Sequence, residues 1–198
     1  ETAPKPQILY LAALILGLLV PFLIIYLKQL LNNKVQSRAD VEELVKNISI
    51  VGEIPRLTGA AQEMVQQNDR SMLAESFRIL HHNLQYLLLR TRGKNTGVSI
   101  LVTSSIKGEG KTFTAFNLAM TLANSGKKVV LVGADLRNPQ MKRFEPDTKK
   151  FMGVSDYLVN PRLHLEDLLR VSNFHSQLHL LASGSIPPNP SELLGQDN

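Results

Sequence analysis

The longest apolar run comes first: from Ile8 to Leu27, 20 consecutive residues carry no charge. Wound as an α-helix at about 1.5 Å per residue, that run reaches about 30 Å, the thickness of a bilayer's hydrocarbon core. Tyr10 and Tyr26 stand near its ends, where amphipathic rings favour the interface. A secretory signal has a shorter apolar core and a small-residue cleavage site, whereas YLKQLLNNK follows here. A buried core helix would not be so uniformly apolar. The expectation is a membrane-crossing helix, kinked but not forbidden by Pro21. Lys28, Lys34 and Arg38 follow it directly, which places the residues after about Lys28 in the cytoplasm.

From Asn32 the pattern turns polar and then periodic. SRADVEELVKNI predicts a short helix, capped by Ser37 or Asp40, with Val41, Leu44, Val45 and Ile48 on one face. ISIVGEIP predicts a short strand closed by Pro55, and RLTGAAQEMVQQNDR a linker. Over Ser71 to Arg90, Leu73, Phe77, Leu80, Leu84 and Leu87 or Leu88 recur at helical spacing, with Gly93 just past the end. GVSILVTSS and KKVVLVGAD are almost wholly apolar, as strands of a parallel sheet covered on both faces are. Between them TFTAFNLAMTLANS predicts a helix ended by Gly126. Further on, GVSDYLV and LEDLLRV predict short helices, QLHLLASG a third buried strand, and SIPPNPSELL a proline-stiffened loop entering a helix at Ser191. The expected fold is α/β: a transmembrane helix, then an incomplete P-loop-type parallel sheet flanked by helices. Residues 1–31 form the membrane segment, 32–70 a juxtamembrane linker and 71–198 the nucleotide-binding domain.

Composition narrows the chemistry. The net charge is +5 and the pI about 9.5. Part of the excess flanks the apolar run. A second group, Arg137, Lys142, Arg143, Lys149 and Lys150, reads as solvated surface. Aromatic and basic residues are nowhere interleaved, so no nucleic-acid partner is expected. The chain has no cysteine, which excludes disulfides and thiolate metal sites. His81 and His82 are adjacent on a helix and are expected to point apart. His175 and His179 fall at the entry to a strand, where a helix-type metal pair does not form.

The chemistry that remains is in SSIKGEGKT. Glycines let backbone N–H groups approach phosphate oxygens, and a helix N-terminus adds partial positive charge. The G-x4-G-K-[ST] pattern is met by Ser105, four residues, Gly110, Lys111 and Thr112, with serine in place of the first glycine. Residues Ser105, Lys107, Gly108, Glu109, Gly110, Lys111, Thr112 and Phe113 are expected to hold a nucleotide. Lys111 would reach the β- and γ-phosphates and the Thr112 hydroxyl would bind Mg²⁺. A right-handed crossover makes the two flanking strands parallel, so their C-terminal ends share one sheet edge. Asp135, 23 residues after Thr112, is thereby expected beside the same Mg²⁺. An aspartate that merely caps the next segment is the plainer alternative.

The span, AESFRILHHNLQYL, SSIKGEGKT, VVLVGADLRNP, GVSDYLV and ASGSIPPNPSELL, in that order, resemble the bacterial tyrosine kinases of capsular and exopolysaccharide biosynthesis, the Wzc type. The resemblance runs from about Pro4 to Leu194. It implies an inner-membrane, ATP- and Mg²⁺-dependent kinase that phosphorylates its own tyrosines, in which Lys111 and Asp135 are catalytic and Thr112 and Asp135 hold the metal. It further implies self-association into a ring, contact with polysaccharide polymerisation and export machinery, and a partner phosphatase. The family's subunit-contact pattern E-x2-R-x2-R stands here as Glu75, Arg78 and His81, with histidine for the last arginine. Of two aspartates usual after the second strand, Asp135 matches the second, while the first is Gly133. Where the related partition and division-site ATPases carry a cross-dimer lysine this chain has Ile106. A C-terminally truncated piece is expected, ending before the Walker B strand and the tyrosine cluster; the four tyrosines present, Tyr10, Tyr26, Tyr86 and Tyr157, are scattered. The alternative is a non-catalytic ATP-binding scaffold of a polysaccharide co-polymerase.

Overall fold

The computed structural model describes residues 6–32, 34–35, 37–46, 48–57, 63–89 and 97–195. The chain forms two compact units, Glu1–Ile50 and Val51–Asn198.

In the first unit, α1 (Pro6–Leu30) is one 25-residue helix that runs through Pro21 and buries none of its side chains. Its mean hydropathy reaches 2.9, and it is long and apolar enough to cross a membrane. The short α2 (Arg38–Leu44) starts at Ser37, whose Oγ accepts from Asp40 N at 3.3 Å while Asp40 Oδ2 accepts from Ser37 N at 3.0 Å. That reciprocal capping box settles the choice of cap in favour of Ser37.

The second unit is built around α4 (Lys111–Asn124), which presents apolar side chains in two directions. On one side Phe116, Ala119, Met120 and Ala123 pack with Met141, Phe144, Leu178 and Leu180; Phe116 and Phe144 stack with centroids 4.7 Å apart. On the other, Leu118 joins Leu73, Ala74, Phe77 and Leu80 of α3 (Met72–Leu89), together with Val65. Ser71 caps α3 by accepting from Ala74 N at 3.1 Å, and Asp69 in turn accepts from Ser71 N at 2.7 Å. α4 ends in a Schellman turn around Gly126 (φ +81°), with Lys127 N donating to Leu122 O and Gly126 N to Ala123 O.

The sheet is small and mixed. β1 (Val129–Val132) pairs in parallel with β3 (Leu178–Leu181), and β2 (Arg170–Val171) pairs antiparallel on β3's other side, giving the order β1–β3–β2. α5 (Val154–Val159), α6 (Leu165–Leu168) and α7 (Pro190–Leu194) are short, and two 3₁₀ turns, Met141–Arg143 and Pro146–Lys150, link β1 to α5. A buried carboxylate fastens those turns. Glu145, 2% exposed, accepts from the Ser172 hydroxyl, Asn173 N and Asn173 Nδ2 beside the β2–β3 connection.

Three expected features come out differently. Residues 97–104 form no strand, and Leu101 is 84% exposed. A strand is a property of a pair, and nothing among the described residues supplies a ladder to this apolar run. β1 is not buried on both faces: Val129 and Leu131 lean on the α4 cluster, whereas Val130 and Val132 remain about half exposed, at 50% and 47%. The segment 49–57 is not a strand either. Val51, Ile54 and Leu57 all pack against the α3 cluster, and Asn83 Nδ2 donates to Val51 O at 2.7 Å, so side chains and not a ladder fix its path.

Candidate functional site

The chemistry gathers where α4 begins. Residues 105–110 turn sharply, with Gly108 and Gly110 both at φ +95°. A Cβ at either position would meet no atom within 4 Å, so it is the left-handed backbone, not lack of space, that calls for glycine. Gly110 is the N-cap of α4 and its carbonyl accepts from Thr114 N at 2.8 Å. The N–H groups of Lys111, Thr112 and Phe113 therefore lie in the first turn, where a helix has no internal acceptors and attracts anions.

A cleft of about 340 Å³ opens there. One wall is Lys107, Gly108, Gly110, Lys111, Thr112 and Phe113. The other comes from the chain after β1: Asp135, Asn138, Gln140, Arg143 and Phe144. The fold thus brings Asp135 to the phosphate-type loop across 23 residues of sequence, although residues 97–104 form no strand and the expected parallel crossover through α4 is not what places it. Its Oδ1 accepts from Asn138 N at 2.9 Å and Arg137 N at 3.2 Å, which orients the carboxylate. Asp135 does cap its own turn, and it lines the cleft while doing so. Two expected residues lie off these walls. Ser105 is exposed at the start of the turn, and Glu109 folds back so that its Oε2 accepts from Ile106 N at 3.1 Å. The hydroxyl of Thr112 and the carboxylate of Asp135 are hard oxygen donors facing one cleft, a set that suits Mg²⁺ better than a soft metal.

Four residues of the cleft were not expected: Asn138, Gln140, Arg143 and Phe144. Gln140 Nε2 donates to Asn138 Oδ1 at 2.8 Å, tying two of them together. Arg143 is not simply one of the solvated basic residues that the sequence suggests. It instead stands at the cleft, forked onto Glu63 (Nη2–Oε1 2.5 Å, Nε–Oε2 3.1 Å) and 5.8 Å from the Phe144 ring centre. Glu63 is held in place from α4. Asn117, fully buried, donates from Nδ2 to Glu63 O and Phe113 O, each at 3.0 Å, and its Oδ1 accepts from Val65 N at 2.8 Å.

Gly133, at the position where an aspartate was noted as missing, has little room for any side chain. An added Cβ would sit 2.6 Å from Ser183 Oγ and 3.0 Å from Ser183 N. Next to the cleft-lining turn, Arg137 Nη2 donates to Ser191 Oγ of α7 at 2.7 Å.

On α3 the contact pattern is split. Glu75 and Arg78 pair with each other on the surface at 2.7 Å, and Arg78 also donates to Asp69 O. His81 is buried, at 6% exposure, and is therefore turned into its own subunit. Its Nε2 has no hydrogen-bond partner among the described residues. Burial, followed by the neighbouring charges of His82 and Lys127, holds its imidazole below the ordinary value of 6.5. The two histidine rings do not point apart: they stack with centroids 5.7 Å apart. Burial pushes the nearby Asp69 carboxyl up, but hydrogen bonds from Ser71 and Gln66 and the Arg78 charge outweigh it and hold the group below the usual 3.8. His175 Nδ1 accepts from Gln177 N at 3.1 Å in the turn entering β3.

No family model matches the chain. It is 37% identical over 127 residues to the tyrosine-protein kinase YwqD of Bacillus subtilis, an alignment covering 63% of this chain and 50% of that protein. Over 210 residues it is 27% identical to the tyrosine-protein kinase wzc of Salmonella typhi, covering 96% of this chain and 28% of that one. Among solved structures, the BceF tyrosine kinase domain superposes with a TM-score of 0.65 at 27% identity, over 82% of this chain and 68% of that domain. The chain spans half or less of the length of these curated relatives.

Proposed function

We propose, from the premise that the chain belongs to the bacterial tyrosine kinases of the capsular and exopolysaccharide type, that it is the membrane-anchored, nucleotide-binding part of an ATP-dependent protein tyrosine kinase. The observation that carries this reading is the meeting of Lys111, Thr112 and Asp135 at one cleft at the start of α4. In such a site the protein's contribution to phosphoryl transfer is positioning and charge stabilisation. First-turn amides and the loop backbone hold the polyphosphate, and Lys111 neutralises charge at its β- and γ-oxygens. Thr112 and Asp135 would hold Mg²⁺, which offsets the charge that develops on the transferred group. Asp135 is kept in position by the N–H groups of Arg137 and Asn138.

α1 would anchor the protein in the inner membrane, with the residues after Lys28 in the cytoplasm, where ATP is. Membership of this family supports a partner in polysaccharide polymerisation and export; a phosphatase that reverses the modification is proposed with it. Self-association into a ring would use Glu75 and Arg78, whose side chains reach the surface of α3. His81, buried, would contribute only by packing beneath them.

The test is phosphotyrosine in the full-length protein. Lys111→Ala is expected to abolish it, and phosphotyrosine that persists undiminished in that variant overturns the reading. One observation favours the rival, a non-catalytic ATP-binding co-polymerase scaffold. The residue at 133 is glycine, so no carboxylate stands there, and a side chain at that position would sit 2.6 Å from Ser183 Oγ and require Ser183 to shift. The scaffold predicts ATP binding that Lys111→Ala abolishes, with no phosphotyrosine in the unaltered full-length protein.

A further inference from the structure

Arg143 and Glu63 raise a question that the proposed phosphoryl chemistry leaves open. Arg143 lines the cleft beside Lys107 and Lys111, yet its guanidinium is forked onto a carboxylate from the segment before α3. The cleft's charged side chains are Lys107, Lys111 and Arg143 against Asp135 alone, a balance that suits a polyanion. A guanidinium fork fits a carboxylate and a phosphate with the same bidentate geometry. Both members of the pair are about half exposed, at 59% and 46%, and exposed ion pairs are weakly held. Exchange of one anion for another therefore costs little.

The position of Glu63 is not accidental. Asn117 grips the backbone on both sides of Met64, at Glu63 O and Val65 N, from inside α4. Val65 is itself buried, at 4% exposure, in the α3 cluster. The backbone is thus fixed to the helix that begins at the phosphate-type loop, and only the Glu63 side chain is at liberty to swing.

We propose that Arg143 is a second phosphate-binding cation of this cleft, and that Glu63 is the built-in anion it leaves when a nucleoside triphosphate binds. This rests on the nucleotide-binding reading above. The Glu63 side chain then registers nucleotide occupancy through one ion pair and acts as an internal competitor that lowers affinity.

The experiment is titration of the full-length protein in detergent micelles with a fluorescent N-methylanthraniloyl ATP and Mg²⁺. Wild type is compared with Glu63→Gln, Arg143→Ala, Arg143→Lys, the Glu63→Gln/Arg143→Ala double variant and Lys111→Ala. Glu63→Gln is expected to bind about threefold to tenfold more tightly, and Arg143→Ala about tenfold more weakly, a factor that corresponds to about 1.4 kcal/mol. The double variant is expected to bind like Arg143→Ala, because Glu63 then has no cation to compete for, and Arg143→Lys to fall between. Unaltered far-ultraviolet circular dichroism of each variant confirms folding. If Lys111→Ala loses binding while Glu63→Gln and Arg143→Ala bind as wild type, the exchange is wrong and the phosphate-loop reading stands. A Glu63→Gln gain that survives in the double variant also overturns the exchange. If wild type fails to bind, or Lys111→Ala binds equally well, the phosphate-loop reading falls and the exchange falls with it.

Discussion

Asn117→Ala tests the packing on which the cleft depends. The carboxamide is fully buried and makes three hydrogen bonds, two as donor at 3.0 Å and one as acceptor at 2.8 Å. A net hydrogen bond contributes about 1 kcal/mol, so their loss costs about 3 kcal/mol. Val65 N–H is left in a buried position without its acceptor, and such an orphan carries a desolvation penalty of about 1–3 kcal/mol. Alanine returns about 0.5 kcal/mol through its better helix propensity. Water entering the space would relieve most of the orphan penalty. The expected loss is therefore about 3 kcal/mol, a large share of the 5–15 kcal/mol that holds an ordinary domain together. Urea titration followed by circular dichroism at 222 nm is the assay. With a slope of about 2 kcal/mol per molar, the midpoint should fall by about 1.5 M. Asn117→Asp keeps the acceptor for Val65 but faces two carbonyls with a carboxylate, and is expected to be at least as damaging. A midpoint within about 0.3 M of wild type for Asn117→Ala would refute the reasoning, because the 63–65 segment would then be held by something other than this side chain.

Three further predictions follow from particular environments. His81 has a folded-state pKa below 6.5, so the unfolded chain binds its proton more readily. Its contribution to stability is complete above about pH 6.5 and is lost as pH falls toward the folded value. The urea midpoint should drop between pH 7.5 and 5, and His81→Leu should flatten that slope; an equal slope in the variant would contradict the assignment. Leu101→Lys should change stability by no more than about 0.5 kcal/mol, since the side chain is 84% exposed. A loss above about 1.5 kcal/mol would mean that the residue is covered. Gly133→Ala should cost about 1–3 kcal/mol by overpacking against Ser183, and Ser183→Ala in the same chain should recover much of it. Additive losses in that pair would show that the two residues do not meet.

How much of this was legible beforehand depends on whether a feature is local. α1, α3 and α4 were readable because a helix closes its own hydrogen bonds, so apolar spacing and a terminal glycine suffice; Gly126 ends α4 as its position suggested. Asp135 lines the cleft with Lys111 as expected, although the strand expected before the loop, and with it the parallel crossover, is not formed. Residues 97–104 have the composition of a buried strand, but composition cannot supply a neighbour, and Leu101 is left in solvent. The histidine pair failed for a related reason. Helical geometry separates the Cβ directions of adjacent residues, yet χ rotations bring the rings of His81 and His82 to 5.7 Å.

Arg143 shows where a one-dimensional reading loses information about function. In sequence it is one of five basic residues between Arg137 and Lys150, and nothing in their spacing separates it from Lys142, Lys149 or Lys150. Its distinction comes from one partner far away along the chain. Glu63 lies 80 residues earlier and meets it because Asn117, a polar residue on an otherwise apolar stretch of α4, fixes the backbone there. The informative sign in the sequence was therefore Asn117 and not the arginine. A buried amide must find partners for its N–H groups and its oxygen, and finding them dictates which distant segment lies against the helix. A polar residue in the middle of a core-facing helix is thus a pointer to a long-range contact, and in this chain the contact it enforces ends at the cleft.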